Sequence, residues 1–198
     1  MLELEQWLGK INPSDLDGET SQEVQLLQQV SSAHPGDSGV LFVLLMHHVY
    51  LQRGEALFVP AGEVHAYIEG MGLEVMLPSD NVIRGGLTSK HKDVDAFLTL
   101  SNFSPTSSPT LVTPQGDSLR GTYQGFGAGF SVHRILSGAE EFTVVSPSVC
   151  FVESGQAFVQ GPEDVTLQGG DVVLALPGET ITADRGESVV WIVHPERN

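Results

Sequence analysis

The order of apolar and polar positions divides the chain into a short helical opening and a long strand-rich remainder. Leu2, Leu4, Trp7, Leu8 and Ile11 recur at roughly helical spacing, and Asn12-Pro13-Ser14 breaks the run. A second helix is predicted over 21–31. There Val24, Leu26, Leu27 and Val30 form an apolar stripe, and His34-Pro35-Gly36-Asp37 ends it. From Val40 the texture changes. The apolar, partly β-branched run 40–50 reads as a strand, followed by short strands over 55–59, 65–68 and 73–76 and a helical turn over 93–98. Residues 101–114 are dominated by Ser, Thr and Pro and mark a boundary. Beyond them, strands are predicted over 130–136, 141–145, 149–153, 157–160, 164–167, 171–175 and 189–194. Short strands at even spacing point to a sandwich or small barrel.

A weak internal repeat crosses that boundary. Residues 53–63 (RGEALFVPAGE) resemble 169–179 (GGDVVLALPGE), with spacing that differs by one residue. Each copy reads as a tight Gly turn, a buried strand and a Pro-Gly turn. The first copy continues to His65, while the second has Thr180 and Ile181, a difference consistent with two jelly-roll modules, one able to hold a metal and one not.

Composition narrows the partners. The 198 residues carry 25 acidic against 9 basic side chains, a formal net charge of -16, which disfavours nucleic acid and anionic membranes. A charged fraction of 17% with 40% hydrophobic residues argues against disorder. The first residues lack the basic-then-apolar order of a signal peptide, and the longest apolar run is too short for a bilayer span. The chain is expected to be soluble. A lone cysteine, Cys150, excludes an internal disulfide and fits a reducing, cytoplasmic setting.

The pattern Gly54-x5-Pro60-x-Gly62-x2-His65 carries the candidate chemistry. Gly54 permits a turn, the next residues cross a barrel as a strand, and Pro60 and Gly62 return the chain at the barrel mouth. His65 would then point inward, where an imidazole can bind a divalent metal or be a satisfied core histidine. This is the spacing of the second motif of the cupin barrel.

Residues 54–94 read GEALFVPAGEVHAYIEGMGLEVMLPSDNVIRGGLTSKHKDV and closely resemble the signature region of the type I mannose-6-phosphate isomerases (phosphomannose isomerases). His34-Pro35-Gly36-Asp37 and the β-rich tail resemble further parts of that family's C-terminal half. The resemblance implies a mostly β, cupin-like jelly-roll fold with short N-terminal helices. Its expected parts are a helical remnant over 1–35, a partial catalytic cupin barrel over 36–100 and a C-terminal cupin-like β domain over 115–198. It also implies a zinc-dependent, cytoplasmic aldose–ketose isomerase that interconverts mannose 6-phosphate and fructose 6-phosphate and serves GDP-mannose biosynthesis. By position, His65 matches the family's zinc-binding histidine and Arg84 its active-site arginine. Glu74, Asp80, Tyr67 and Lys90 match polar positions of its pocket.

These residue types suit the reaction. Moving a proton between C1 and C2 needs a base, and Asp80 and Glu74 both offer a carboxylate. An arginine can grip an oxyanion or a phosphate with two hydrogen bonds. Arg84, Lys90 and Lys92 are three of the nine basic residues and would admit an anionic sugar phosphate locally. Plainer roles stand beside these: Arg84 pairing with Asp80, Glu74 solvated on a strand, Tyr67 packed in a core, and Lys90-His91-Lys92 a solvated loop. Gly85 and Gly86 read as a turn, and His47 and His48 as packing or surface residues.

The chain departs from the family in its metal site. The family's Gln-x-His pair and a glutamate lie upstream of the matching region, and no Gln-x-His occurs here. The remaining zinc ligands are absent from this chain, whereas catalytic zinc sites take three protein ligands. Three readings follow: part of a longer product, a chain completed by an N-terminal half or a second chain, or a non-catalytic cupin-like sugar-binding or assembly module.

Overall fold

The computed structural model describes residues 2–79, 81–105, 109–124 and 127–196. These fold as two compact units, one of residues 1–50 and 59–110, the other of 51–58 and 111–198.

The first unit is built on helices α1 (Leu2–Leu8), α2 (Gly18–Ala33), α3 (Val40–Val43) and α4 (Val94–Leu100). The apolar stripe of α2 buries Leu27 and Val30 against Leu8, Val40 and Val43, with Leu4, Leu26 and Leu87 at the margin. Asp17 starts α2 by accepting from the Thr20 amide at 3.1 Å. Gln28 joins α2 to the end of α1, its Nε2 donating to the Leu8 and Ile11 carbonyls at 2.7 and 2.9 Å. The Leu8 carbonyl also accepts from the Ile11 amide at 3.2 Å, so Gln28 adds a second bond there and fixes the turn that follows α1.

Three expected strands are corrected. Within 40–50 the chain forms α3 instead, because Val40 and Val43, one turn apart, are both buried in the helical core. A short apolar run fits a helix or a strand equally, and here the burial pattern decides. Residues 65–68 and 73–76 are not strands. A strand needs a partner to form its ladder, and among the described residues the only bridge in this unit is Glu63 to Asn102. The predicted helical turn near 93–98 is α4, capped by the Asp93 carboxylate on the Ala96 amide at 3.0 Å.

The second unit is a β-sandwich. Strands β1 (Ala56–Phe58) and β2 (Thr110–Val112) form a small ribbon. The remaining strands are β3 (Gln115–Gly116), β4 (Arg120–Tyr123), β5 (Phe130–Leu136), β6 (Phe142–Thr143), β7 (Ser148–Ser154), β8 (Gln156–Gln160), β9 (Val165–Gln168), β10 (Val172–Ala175), β11 (Thr180–Ala183) and β12 (Val189–Pro195). One sheet runs β10-β7-β12-β5-β4-β3 and the other β6-β11-β8-β9, and the ladders are antiparallel. Alternate residues point between the sheets: Cys150 and Val152 from β7, Val190 and Ile192 from β12, Ala157 and Val159 from β8, Ile181 and Ala183 from β11. Burial pushes the Cys150 thiol up to about 12, so it stays protonated and packs as a small apolar side chain. The fold class is mostly β and cupin-like, with short helices at the start.

The sequence repeat is a repeat of hydrogen bonding. In the first copy the Gln52 amide donates to the Glu55 carboxylate at 2.7 Å, and the Glu55 amide returns to the Gln52 carbonyl at 2.9 Å. In the second, Gln168 and Asp171 exchange the same pair at 2.8 and 2.9 Å. An acidic side chain closing its own Gly turn thus opens β1 in one copy and β10 in the other.

Candidate functional site

His65, Tyr67 and Glu74 come together on the surface of the first unit. The His65 Nδ1 lies 3.0 Å from the Glu63 carbonyl oxygen. A carbonyl only accepts, so Nδ1 carries the proton and Nε2 presents its lone pair outward, the tautomer a metal ligand requires. The Tyr67 ring meets His65 edge-on at 5.9 Å between centroids. Its hydroxyl donates to Glu74 Oε1 at 2.9 Å. Partial burial first, then the hydrogen bond and charge of Glu74, raise the Tyr67 pKa and keep the phenol protonated as a donor. All three residues are exposed.

Arg84 sits on a segment fixed from several directions. The Phe97 ring covers Gly85 so closely that any Cβ there would strike it. A Cβ on Gly86 would lie 2.9 Å from the Gly39 Cα. The two glycines are therefore contact points between packed segments rather than merely a turn. Phe97 is itself held edge-on by Phe42 and Phe103. Leu87 packs on the helical core, and Asp37 ties down the residues that follow Arg84. Asp37 accepts from the Gly39 amide at 2.8 Å and pairs with Lys92 Nζ at 2.9 Å. Burial alone would raise the Asp37 carboxyl, but the Gly39 amide, Lys92 and the Leu87 amide outweigh it and hold it below the usual carboxylate range. Arg84 is half-buried, and no hydrogen bond or ion pair among the described residues engages its guanidinium.

The expected site residues therefore fall into groups. Among the described residues, no hydrogen bond or ring contact joins Arg84 or Lys90 to His65, Tyr67 or Glu74. Lys90 is exposed, with its amide on Thr88 Oγ1 at 3.1 Å. Lys92 is committed to Asp37, so it leaves the expected cluster of free cations. Asp80 lies outside the described residues. His48 Nε2 is bound to the Val43 carbonyl at 2.8 Å, a structural role. Among the described residues, no three His, Cys, Asp or Glu side chains converge to hold a metal ion. Among the described residues His65 is a single imidazole without companion ligands, and that donor set does not by itself fit zinc.

Sequence reasoning missed a histidine pair in the second unit. His133 on β5 and His194 on β12 stack with 4.9 Å between centroids, and their Nε2 atoms are 2.8 Å apart. The His194 Nδ1 lies 3.0 Å from the Pro195 carbonyl, so it donates there and leaves Nε2 as acceptor. His133 must then donate from Nε2 and accept at Nδ1 from the Thr122 hydroxyl, 2.9 Å away. Every proton in this chain is assigned with both rings neutral. Burial, then the His194 and Arg120 charges, lower the His133 pKa to about 4. The native state thus stays neutral at His133 while an unfolded histidine takes up a proton near 6.5. Stability is expected to be full above pH 6.5 and to fall as pH drops toward 4, by about 1–2 kcal/mol after allowance for solvent screening. Urea midpoints measured from pH 7 to 4.5 check this. They should decline in the native protein and flatten in His133→Gln.

No family model matches the chain. Individual relatives do. The mannose-6-phosphate isomerase of Cryptococcus neoformans is 37% identical over 177 residues, which cover 85% of this chain and 39% of the relative. The Escherichia coli mannose-6-phosphate isomerase is 33% identical over 183 residues, 90% of this chain and 45% of the relative. Among solved structures, a phosphomannose isomerase mutant from Salmonella typhimurium superposes with a TM-score of 0.76 at 25% identity, covering 93% of this chain and 47% of that one. A further structure from that organism, a mannose 6-phosphate isomerase bound to its substrate f6p and to zinc, gives a TM-score of 0.73 at 25% identity over 93% of this chain and 48% of its own. The chain spans under half the length of these relatives.

Proposed function

We infer from this homology to the mannose-6-phosphate isomerases that the chain carries the substrate-handling part of a sugar-phosphate isomerase, acting on mannose 6-phosphate and fructose 6-phosphate. The observation that carries the reading is the 37% identity extending over 85% of the chain. Residue chemistry supports it. Arg84, with no hydrogen bond or ion pair at its guanidinium among the described residues, offers a cation suited to an oxyanion or phosphate. Tyr67 would serve the sugar phosphate as a donor and Lys90 as a cation. Glu74 and Asp80 are the carboxylates offered for moving a proton between C1 and C2. His65 contributes one imidazole to a zinc centre whose other ligands come from outside this chain, and zinc when bound would polarise the vicinal oxygens. A lone, buried cysteine agrees with a reducing cytoplasm. A second reading, a non-catalytic cupin-like sugar-binding or assembly module, is favoured by the absence of a converging ligand set among the described residues.

Activity separates the two. The chain alone, with zinc added, should not interconvert mannose 6-phosphate and fructose 6-phosphate above background. A fusion placing the unmatched part of the Escherichia coli relative ahead of this chain should do so. A folded, zinc-loaded fusion without turnover would leave the binding module as the answer. Turnover by the chain alone would overturn the assignment of missing ligands.

A further inference from the structure

Among the described residues, Leu87 is the only one other than glycine with a left-handed backbone, at φ +53°. A leucine gains nothing from that conformation, so its surroundings must impose it. Three contacts do. The Leu87 amide donates to the Asp37 carboxylate. The Leu87 side chain packs on the helical core. A Cβ on Gly39 would lie 3.0 Å from both the nitrogen and the Cγ of Leu87, so the two segments meet with no room to shift. Asp37 does more than hold Leu87. Its Oδ1 accepts from the Gly39 amide at 2.8 Å and its Oδ2 pairs with Lys92 Nζ at 2.9 Å, with the side chain only 12% exposed. One carboxylate thus holds residues 87 and 92 together and closes the loop between them, in which the Lys90 amide turns back onto Thr88 Oγ1. Arg84 lies three residues before the strained position and Lys90 three after it. Neither cation pairs with an acid among the described residues. Backbone strain that the surroundings sustain gathers at functional segments, and here it sits between two uncommitted positive charges.

We propose that Asp37 is a positioning residue for phosphate binding: by holding Leu87 in its left-handed turn and Lys92 at the far end of the loop, it fixes the backbone from which Arg84 and Lys90 reach the anion. Asp37 itself touches no substrate. The role rests on the reading that Arg84 and Lys90 meet a sugar phosphate. Its sign separates it from a bystander. A carboxylate that is merely near an anion repels it, so neutralising that carboxylate would tighten binding. A carboxylate that builds the site has the opposite effect, because removing it lets the loop and its cations drift from the geometry the anion needs.

The test titrates the full chain with inorganic phosphate and with fructose 6-phosphate, followed by NMR well below the melting temperature of each variant. The parent should bind both, with shifts at the Arg84 and Lys90 side chains. Asp37→Asn keeps the size of the side chain and one carbonyl acceptor, but its amide end cannot accept from Lys92. It should weaken both ligands about tenfold, although it removes a negative charge. Leu87→Gly leaves every charge in place and frees the turn, and should weaken both ligands in the same direction. Binding that is unchanged or tighter in folded Asp37→Asn would overturn the proposal, as would a parent chain that binds no phosphate. If Asp37→Asn does not fold, Leu87→Gly decides by the same criterion. Turnover plays no part in these measurements. An active fusion whose phosphate binding ignores Asp37 would keep the isomerase reading and sink the positioning role. Asp37-dependent phosphate binding beside an inactive fusion would do the reverse.

Discussion

Replacing Arg84 by alanine is expected to lower the turnover of the fused isomerase by about 10²–10³-fold, the usual loss when a preorganised donor to a developing oxyanion is removed. The size of the effect follows from how the residue is held. Gly85 lies under the Phe97 ring, Gly86 abuts Gly39, and Leu87 packs on the helical core. Asp37 anchors the stretch through the Gly39 amide and the Lys92 ammonium. The backbone at Arg84 has little to rearrange, and its guanidinium is tied to no acid among the described residues. A group fixed at its base and free at its tip suits an anionic ligand, because neither an ion pair nor a loop must be broken to use it. Arg84→Lys should recover part of kcat but not all, since an ammonium cannot supply the two parallel hydrogen bonds of a guanidinium. The melting temperature of either variant should stay close to the parent value. A large fall in melting temperature with turnover preserved would mean that Arg84 is structural, and that the anion is held elsewhere.

Legibility in the sequence tracked how local the deciding interactions were. Strand β5 was readable from its own letters, because Phe130, Val132, Ile135 and Leu136 form a strand-rich run bounded by Gly129 and Gly138. Helix α2 was readable from its stripe and its Pro-Gly stop. The run at 40–43 misled because its composition suits a strand, while Val40 and Val43 are claimed by a helical core built from residues far earlier in the chain. Residues 65–76 have strand chemistry without a strand, since a ladder depends on a partner that their own letters cannot supply. At the site, the spacing of Pro60, Gly62 and His65 pointed to the imidazole, and the Glu63 carbonyl then fixed its tautomer. The Asp37–Lys92 tie and the Thr122–His133–His194 relay were invisible. Each joins residues whose proximity comes from tertiary register, with 55 positions between the first pair and 61 between the two histidines.

Substituting alanine at Gly155 is expected to destabilise the β-sandwich by roughly 3 kcal/mol or more. Two costs combine there. Gly155 turns the chain between β7 and β8 with φ of +71°, a conformation that costs an L side chain about 1–2 kcal/mol. An added Cβ would also strike the Ser188 hydroxyl and lie 2.7 Å from the Ser188 Cα, which is backbone and cannot swing away. Ser188 is occupied in turn. Its Oγ accepts from the Gln156 amide at 3.0 Å, and its own amide donates to Ser137 Oγ at 2.9 Å. Pushing it aside would strain both bonds at the edge of a core that includes Val190 and Ile192 from the adjoining strand, and overpacking of that kind adds about 1–3 kcal/mol. Gly170 separates the two costs, because its φ is +98° yet an added Cβ would meet nothing within 4 Å. Gly170→Ala should therefore lose only the conformational part, about 1–2 kcal/mol. Urea unfolding of both variants at pH 7 measures the gap between them. Equal losses at the two positions would mean that Ser188 yields freely and that the packing at this turn contributes nothing.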